Sequence, residues 1–226
     1  TLDDRFLPAV KNLNLTIKSG EIVGIAGVSG NGQREMAQAI AGLRPITSGK
    51  VTISGKDLTN APPSERFTAG LGYVPEDRLG VGLAPRLTVT ENAILRCYKS
   101  LRKSIFLVSE QAVNYCKEII DRFGVRTGPI DEPIAGLSGG NLQRLLVGRE
   151  LSGNPKVVLA AQPTRGLDVQ GVKAIQDLLI DERAEGVAVL LISEDLDELL
   201  TLSDRLLVMH EGEIVKEFDP ANAHRH

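Results

Sequence analysis

The chain has 226 residues, 42% hydrophobic and 24% charged, a balance that supports a folded core and excludes wholesale disorder. Its 26 Lys and Arg against 29 Asp and Glu leave a formal net charge of −3, which provides no global attraction to nucleic acid or anionic lipid. The longest apolar runs, such as residues 187–192, fall far short of the ~20 residues that a bilayer-spanning helix needs. Cys97 and Cys116 have neither metal-ligand spacing nor a disulfide framework and read as reduced thiols. The sequence opens on Thr1 rather than Met, without a signal peptide, as expected of a piece of a longer chain. Its 23 glycines are about 10% of the residues against a usual ~7%, an excess that points to close backbone approach or many tight turns.

Residues 13–17 alternate apolar and polar, the pattern of a half-buried antiparallel strand. Residues 21–26 form a short apolar run that predicts a buried strand. A glycine-rich loop follows over 27–32, and apolar residues recur at helical spacing over 33–43. Further strands are predicted over 50–54, 71–74, 157–161, 187–192, 206–210 and 213–218, with helices over 169–183 and 195–202. This alternation implies an α/β sheet with substantial parallel pairing. The middle differs: helical stretches over 88–101 and 109–123 have no predicted strand between them, so residues 80–137 read as a helical insertion.

Gly27-Val28-Ser29-Gly30-Asn31-Gly32-Gln33-Arg34 keeps the framing glycines of the phosphate-binding loop, Gly, four residues, Gly, Lys, Ser/Thr. Such glycines let consecutive backbone N–H groups curl around an anion at a helix N-terminus. The Lys place holds Gln33 and the Ser/Thr place Arg34. Loss of Lys removes a charge-assisted phosphate contact worth ~1.5–3 kcal/mol, and a guanidinium has no acceptor with which to hold Mg²⁺. The same loop also serves elsewhere as a plain strand-to-helix turn.

Leu137-Ser138-Gly139-Gly140-Asn141-Leu142-Gln143-Arg144 closely resembles the LSGG signature of ABC-type ATPases. Ser138 and the Gly139 and Gly140 amides open a predicted helix over 141–151, a second anion cradle. Around 105 residues separate it from the glycine loop, and an apolar strand follows, which is the order this family would show. The resemblance runs from the strand near Leu13 to Val215. It is nearest, in Gly24–Val28, Tyr73–Arg78 and Ala160–Gly166, to the second, C-terminal nucleotide-binding domain of fused ATPases of simple-sugar or nucleoside importers.

The resemblance implies a P-loop NTPase α/β core over 1–79 and 138–226 with an N-terminal antiparallel β part, and a helical subdomain over 80–137. It implies ATP or ADP as ligand, with Mg²⁺ expected although its ligands are replaced. Ala161 stands where the family has the Mg²⁺-binding Asp, Gln162 where it has the Glu that polarises water, and Glu194 near the place of its His. Gln162 and Glu194 are thus the catalytic positions in altered form. Glu76 replaces a Gln that links nucleotide to the transmembrane partner, and Asp168 matches a loop that meets the partner domain. Two such domains close head to tail, so Leu137 to Gln143 would complete the ATP site of the other domain. The resemblance further implies permease subunits, a peripheral place on the cytoplasmic face of the membrane, no nucleic-acid partner, and an aromatic upstream of the loop against adenine, for which Phe6 is available. Two rivals are a non-transport ABC ATPase, disfavoured by the missing Lys/Arg cluster, and a regulatory pseudo-ATPase, disfavoured by the intact Ser138-Gly139-Gly140. His210, His224 and His226 lie near no Ser or Cys nucleophile motif, and the acidic run 194–198 reads as a charged helix N-terminus.

Overall fold

A computed structural model describes residues 1–103, 106–107 and 109–220; His224 and His226 lie outside the described residues. In chain order the elements are β1 (Ile22–Ala26), α1 (Gln33–Ala41), β2 (Thr52–Ile53), β3 (Lys56–Asp57), α2 (Pro63–Thr68), β4 (Leu71–Val74), α3 (Val89–Ile94), β5 (Arg102–Lys103), β6 (Phe106–Leu107) and α4 (Ser109–Phe123). Then come α5 (Gly139–Leu151), β7 (Val157–Ala161), α6 (Val169–Ala184), β8 (Ala188–Ser193), α7 (Leu196–Leu202), β9 (Arg205–His210) and β10 (Glu213–Phe218).

Six strands form one sheet in the order β10-β9-β1-β8-β7-β4. Five run parallel, and only β10 is antiparallel, to β9. Because successive side chains alternate faces, each strand feeds two cores. On one face Ile22, Val158, Ala160, Val189 and Leu191 pack with α4 to α7 through Ile119, Leu145, Ile175 and Leu199. On the other, Val23, Ile25, Tyr73, Leu159, Ala161 and Ile192 pack with Met36 and Ala37 of α1 and with Ile53. This is the three-layer α/β arrangement that the strand–helix alternation implied. The helical segment has no core of its own: Val89, Ala93, Cys116 and Phe123 join the cluster on the first sheet face.

Three local readings change. Residues 13–17 alternate in burial as expected, and Leu13, Leu15 and Ile17 pack on the second core. They nevertheless form no strand, because no ladder pairs with them among the described residues; the antiparallel ladders are β2–β3, β5–β6 and β9–β10. The helix expected over 88–101 stops at Ile94 and gives way to turns. The connection to α4 holds the short β5–β6 ladder where no strand was expected; two residues per strand are too few for an alternating pattern to show.

Candidate functional site

A parallel sheet delivers the ends of its strands to one edge. The segments leaving β1, β4, β7 and β8 therefore meet there, around a cleft of about 1430 Å³ lined by Ser29, Gly30, Gln33, Glu76, Gln162 and Glu194 among others. The N-terminal segment adds Arg5, Leu7, Pro8 and Lys11 to its rim. Phe6, at a left-handed φ of 62° on a turn held by Asp3, is 81% exposed and does not line the cleft.

The glycine loop is built by necessity from glycine at its end. Gly32 has φ 101° and caps α1, and a Cβ there would lie 2.2 Å from the Ala9 carbonyl oxygen. Gln33 folds back into the loop: its amide donates to the Val28 carbonyl at 3.3 Å, beside Asn31 Nδ2 at 3.0 Å. A Cβ on Gly27 would come within 2.3 Å of that Gln33 nitrogen, so the amide fills the space beneath the loop. Arg34 turns the other way and pairs with Asp4 at 2.6 Å. Asn31 also receives the Glu211 and Gly212 amides, which latches the loop to the β9–β10 turn.

Across the cleft, Gln162 takes the left-handed φ of 51°. Its Oε1 accepts the Glu194 amide at 3.3 Å, which joins the two positions that the sequence resemblance marks as catalytic, and Ala161 contributes only a methyl group. Glu76 is ion-paired with Arg165, and Arg78 donates to the Arg165 carbonyl. The Tyr73 hydroxyl, on β4, has its pKa pushed up to about 12 by burial, with the Glu76 charge adding to the effect. Among the described residues, no three His, Cys, Asp or Glu side chains converge as a metal cluster.

The signature opens α5 two residues earlier than expected, at Gly139. Ser138 is the N-cap, with its hydroxyl accepting from the Asn141 amide at 3.4 Å and from Asn141 Nδ2 at 2.9 Å. Ser138 and Gly139 are exposed and Leu137 and Gly140 half-buried, with Gly139 on the rim of the same cleft. Gln143 is different: it is 1% exposed, and its Nε2 donates to the Pro163 carbonyl at 2.6 Å. It ties the signature helix to the loop after β7 and offers nothing outward. Asp168 caps α6 by accepting the Gly171 amide at 2.7 Å, on an exposed stretch that includes Val169. In the acidic run, Asp195 does cap α7, but Glu198 is buried rather than solvated.

A sequence model of the family described as ABC transporter matches residues 10–165. The chain belongs to the ABC transporter family. It is 45% identical, over 99% of its length, to the glucose import ATP-binding protein TsgD13 of Haloferax volcanii. It is 41% identical, over 96%, to the guanosine import ATP-binding protein NupO of Bacillus subtilis. It covers 41% and 43% of those two proteins, and so spans less than half the length of the curated relatives it matches. A dimeric ATP-binding cassette bound to ADP and Pi superposes with a TM-score of 0.81 at 28% identity, over 94% of this chain and 90% of that one.

The cassette's strand-edge cleft brings Ser29, Gly30, Asn31, Gln33 and Arg34 of the glycine loop together with Glu76, Gln162 and Glu194, while Gly27, Val28 and Gly32 do not line it. Sequence reasoning missed Arg165 and Arg78 as members of the site. Their signal was two arginines beside positions already under scrutiny, but which carboxylate they meet depends on β4 lying next to β7. No helix among the described residues is long and apolar enough to cross a membrane.

Proposed function

We propose that the chain is one nucleotide-binding domain of a sugar or nucleoside importer, peripheral on the cytoplasmic face of the membrane and coupled to transmembrane permease subunits. Its phosphate loop forms a half-site that holds ATP or ADP weakly and does not hydrolyse it. Its signature, Leu137 to Asn141, completes the ATP site of a second nucleotide-binding domain, which we place in the remainder of a longer chain of the relatives' length. Residues 1–79 and 138–226 act as the core, and 80–137 as the helical subdomain. The similarity to a glucose and a guanosine import ATP-binding protein supports the substrate class. The net charge of −3 argues against nucleic acid.

The observation that carries this reading is the contrast between two cradles. Gln33 fills the space beneath the phosphate loop, while Ser138 and Gly139 stand open at a helix N-terminus. Gln162 can orient a water but cannot take its proton, and loss of a general base costs ~10²–10⁴-fold.

The test compares two variants in the assembled transporter. A Cβ on Gly139 would meet only Arg78 Nη1, at 3.4 Å, so Gly139→Asp preserves the fold while setting a carboxylate where the partner's γ-phosphate must come. ATP hydrolysis should fall by ~10²–10³-fold, the cost of an oxyanion-type donor site. Gln33→Ala should lower it only modestly. A crippled Gln33→Ala beside an active Gly139→Asp reverses the assignment of the half-sites.

A further inference from the structure

Mg²⁺, which the family implies, does not fit the residues around this phosphate loop. Magnesium demands near-ideal octahedral oxygen ligation, commonly through one or two carboxylates with waters and phosphate oxygens. Here the loop's hydroxyl position is Arg34, drawn away to Asp4, and the strand carboxylate position is the methyl of Ala161. Of the carboxylates that line this part of the cleft, Glu76 is held by a guanidinium, Asp77 accepts the Gly80 amide at 2.8 Å, and Glu194 belongs to the segment anchored by Gln162.

What the cleft has instead is a cation. Arg165 follows the end of β7 by four residues and lines the cleft with the phosphate loop, its side chain 59% exposed. The tight turn from Gln162, whose carbonyl accepts the Arg165 amide at 3.2 Å, fixes where this side chain starts. Arg34 is committed to Asp4, and Arg78 is committed to the Arg165 carbonyl. Arg34 is held by two carboxylates that also line the cleft, Asp4 and Glu35, whereas Arg165 has one carboxylate partner among the described residues, Glu76. A guanidinium fork suits phosphate oxygens as well as it suits carboxylate.

We propose that Arg165 meets the terminal phosphate of a nucleoside di- or triphosphate bound free of divalent metal, exchanging Glu76 for that phosphate. This rests on the reading that the glycine loop still takes nucleotide. Glu76 opposes binding twice: it occupies the Arg165 guanidinium and it repels the incoming anion. Replacing the two partners therefore has opposite effects, which a purely structural ion pair would not produce.

The experiment is calorimetric titration of the chain with ATP and with ADP, first in EDTA and then in excess Mg²⁺. The wild type should bind in EDTA and gain nothing from Mg²⁺. Arg165→Ala should weaken binding in EDTA by roughly 10–100-fold, the worth of a charged hydrogen bond, and Arg165→Lys should recover part of it. Glu76→Gln should tighten binding several-fold. Unchanged affinity in Arg165→Ala, weaker binding in Glu76→Gln, or a wild type that needs Mg²⁺ overturns the inference and leaves the nucleotide reading standing. A wild type that binds neither nucleotide in either buffer overturns both.

Discussion

Glu198 is 3% exposed, and neither of its carboxyl oxygens makes a hydrogen bond. Burial is the largest influence on it and raises its pKa above the ordinary carboxylate value, against the polar side chains of Ser193, Thr164 and Gln176; Asp195 raises it further. A carboxyl whose folded pKa exceeds its unfolded one stabilises the fold fully below the unfolded pKa, ~4.3. That contribution is lost as pH rises through the folded pKa. Glu198→Gln cannot ionise, so its unfolding free energy should improve relative to wild type as pH climbs from 4 to 8. Denaturant titrations across that range measure the difference, and a constant offset between the two proteins would sink the idea. At this scale the sequence was half legible. That Gln33 and Arg34 stand at the Lys and hydroxyl places of the loop pattern could be read directly from identities at fixed spacing, and the place of Ala161 was implied by the family resemblance. That Gln33 curls inward, that Gln143 faces Pro163 and that Glu198 is buried are matters of rotamer and packing, which spacing does not encode.

Helix α4 approaches α5 closely because α5 carries a glycine at the crossing. A Cβ on Gly148 would lie 2.7 Å from Phe123 Cδ2 and 2.9 Å from Ile119 Cγ2, both in the core. Gly148→Val therefore forces the helices apart, and overpacking of this kind costs ~1–3 kcal/mol. The urea midpoint should fall with little change in slope; a midpoint equal to wild type would show that the helices separate freely. Elements with both a strong period and firm ends were legible: β4, β7, α4 and β10 match the expected bounds residue for residue. Residues 13–17 show why pattern is insufficient. Their alternation correctly marks which side chains face the core, but a strand also needs a neighbour to bond with, and that depends on distant chain. The 88–101 stretch failed at its far end, where helix-compatible residues beyond Ile94 turn instead around Cys97.

For the molecule as a whole, the five positions proposed to be altered in the half-site, Gln33, Arg34, Ala161, Gln162 and Glu194, converge from three separate strand-to-helix connections, so on this proposal no single reversion rebuilds the site. The chain by itself should show no ATP turnover approaching the ~1–10³ s⁻¹ of ordinary enzymes. Phosphate release measured on repurified protein checks this, and activity unaffected by changing Gln162 would contradict it. Fold class was legible from strand–helix alternation, and with it that the residues after each strand share an edge, although Arg78 and Arg165 were not anticipated there. Which of them touch was not, because the Glu76–Arg165 pair spans 89 positions in the chain and exists only through strand order. That strand order also governs the molecule's birth on the ribosome. Strand β1 is made about 160 residues before its first neighbour among the described residues, β8, with β9 later still. At ~5–20 residues per second, the ribosome supplies β8 roughly 10–30 s later. Throughout that interval an apolar ribbon, Ile22–Ala26, has both hydrogen-bonding edges bare. The Asn31 latch waits longer still, for Glu211 and Gly212. The phosphate loop cannot be set before the β9–β10 hairpin has been made, so a chain truncated ahead of that hairpin is a sticky intermediate rather than a smaller nucleotide binder.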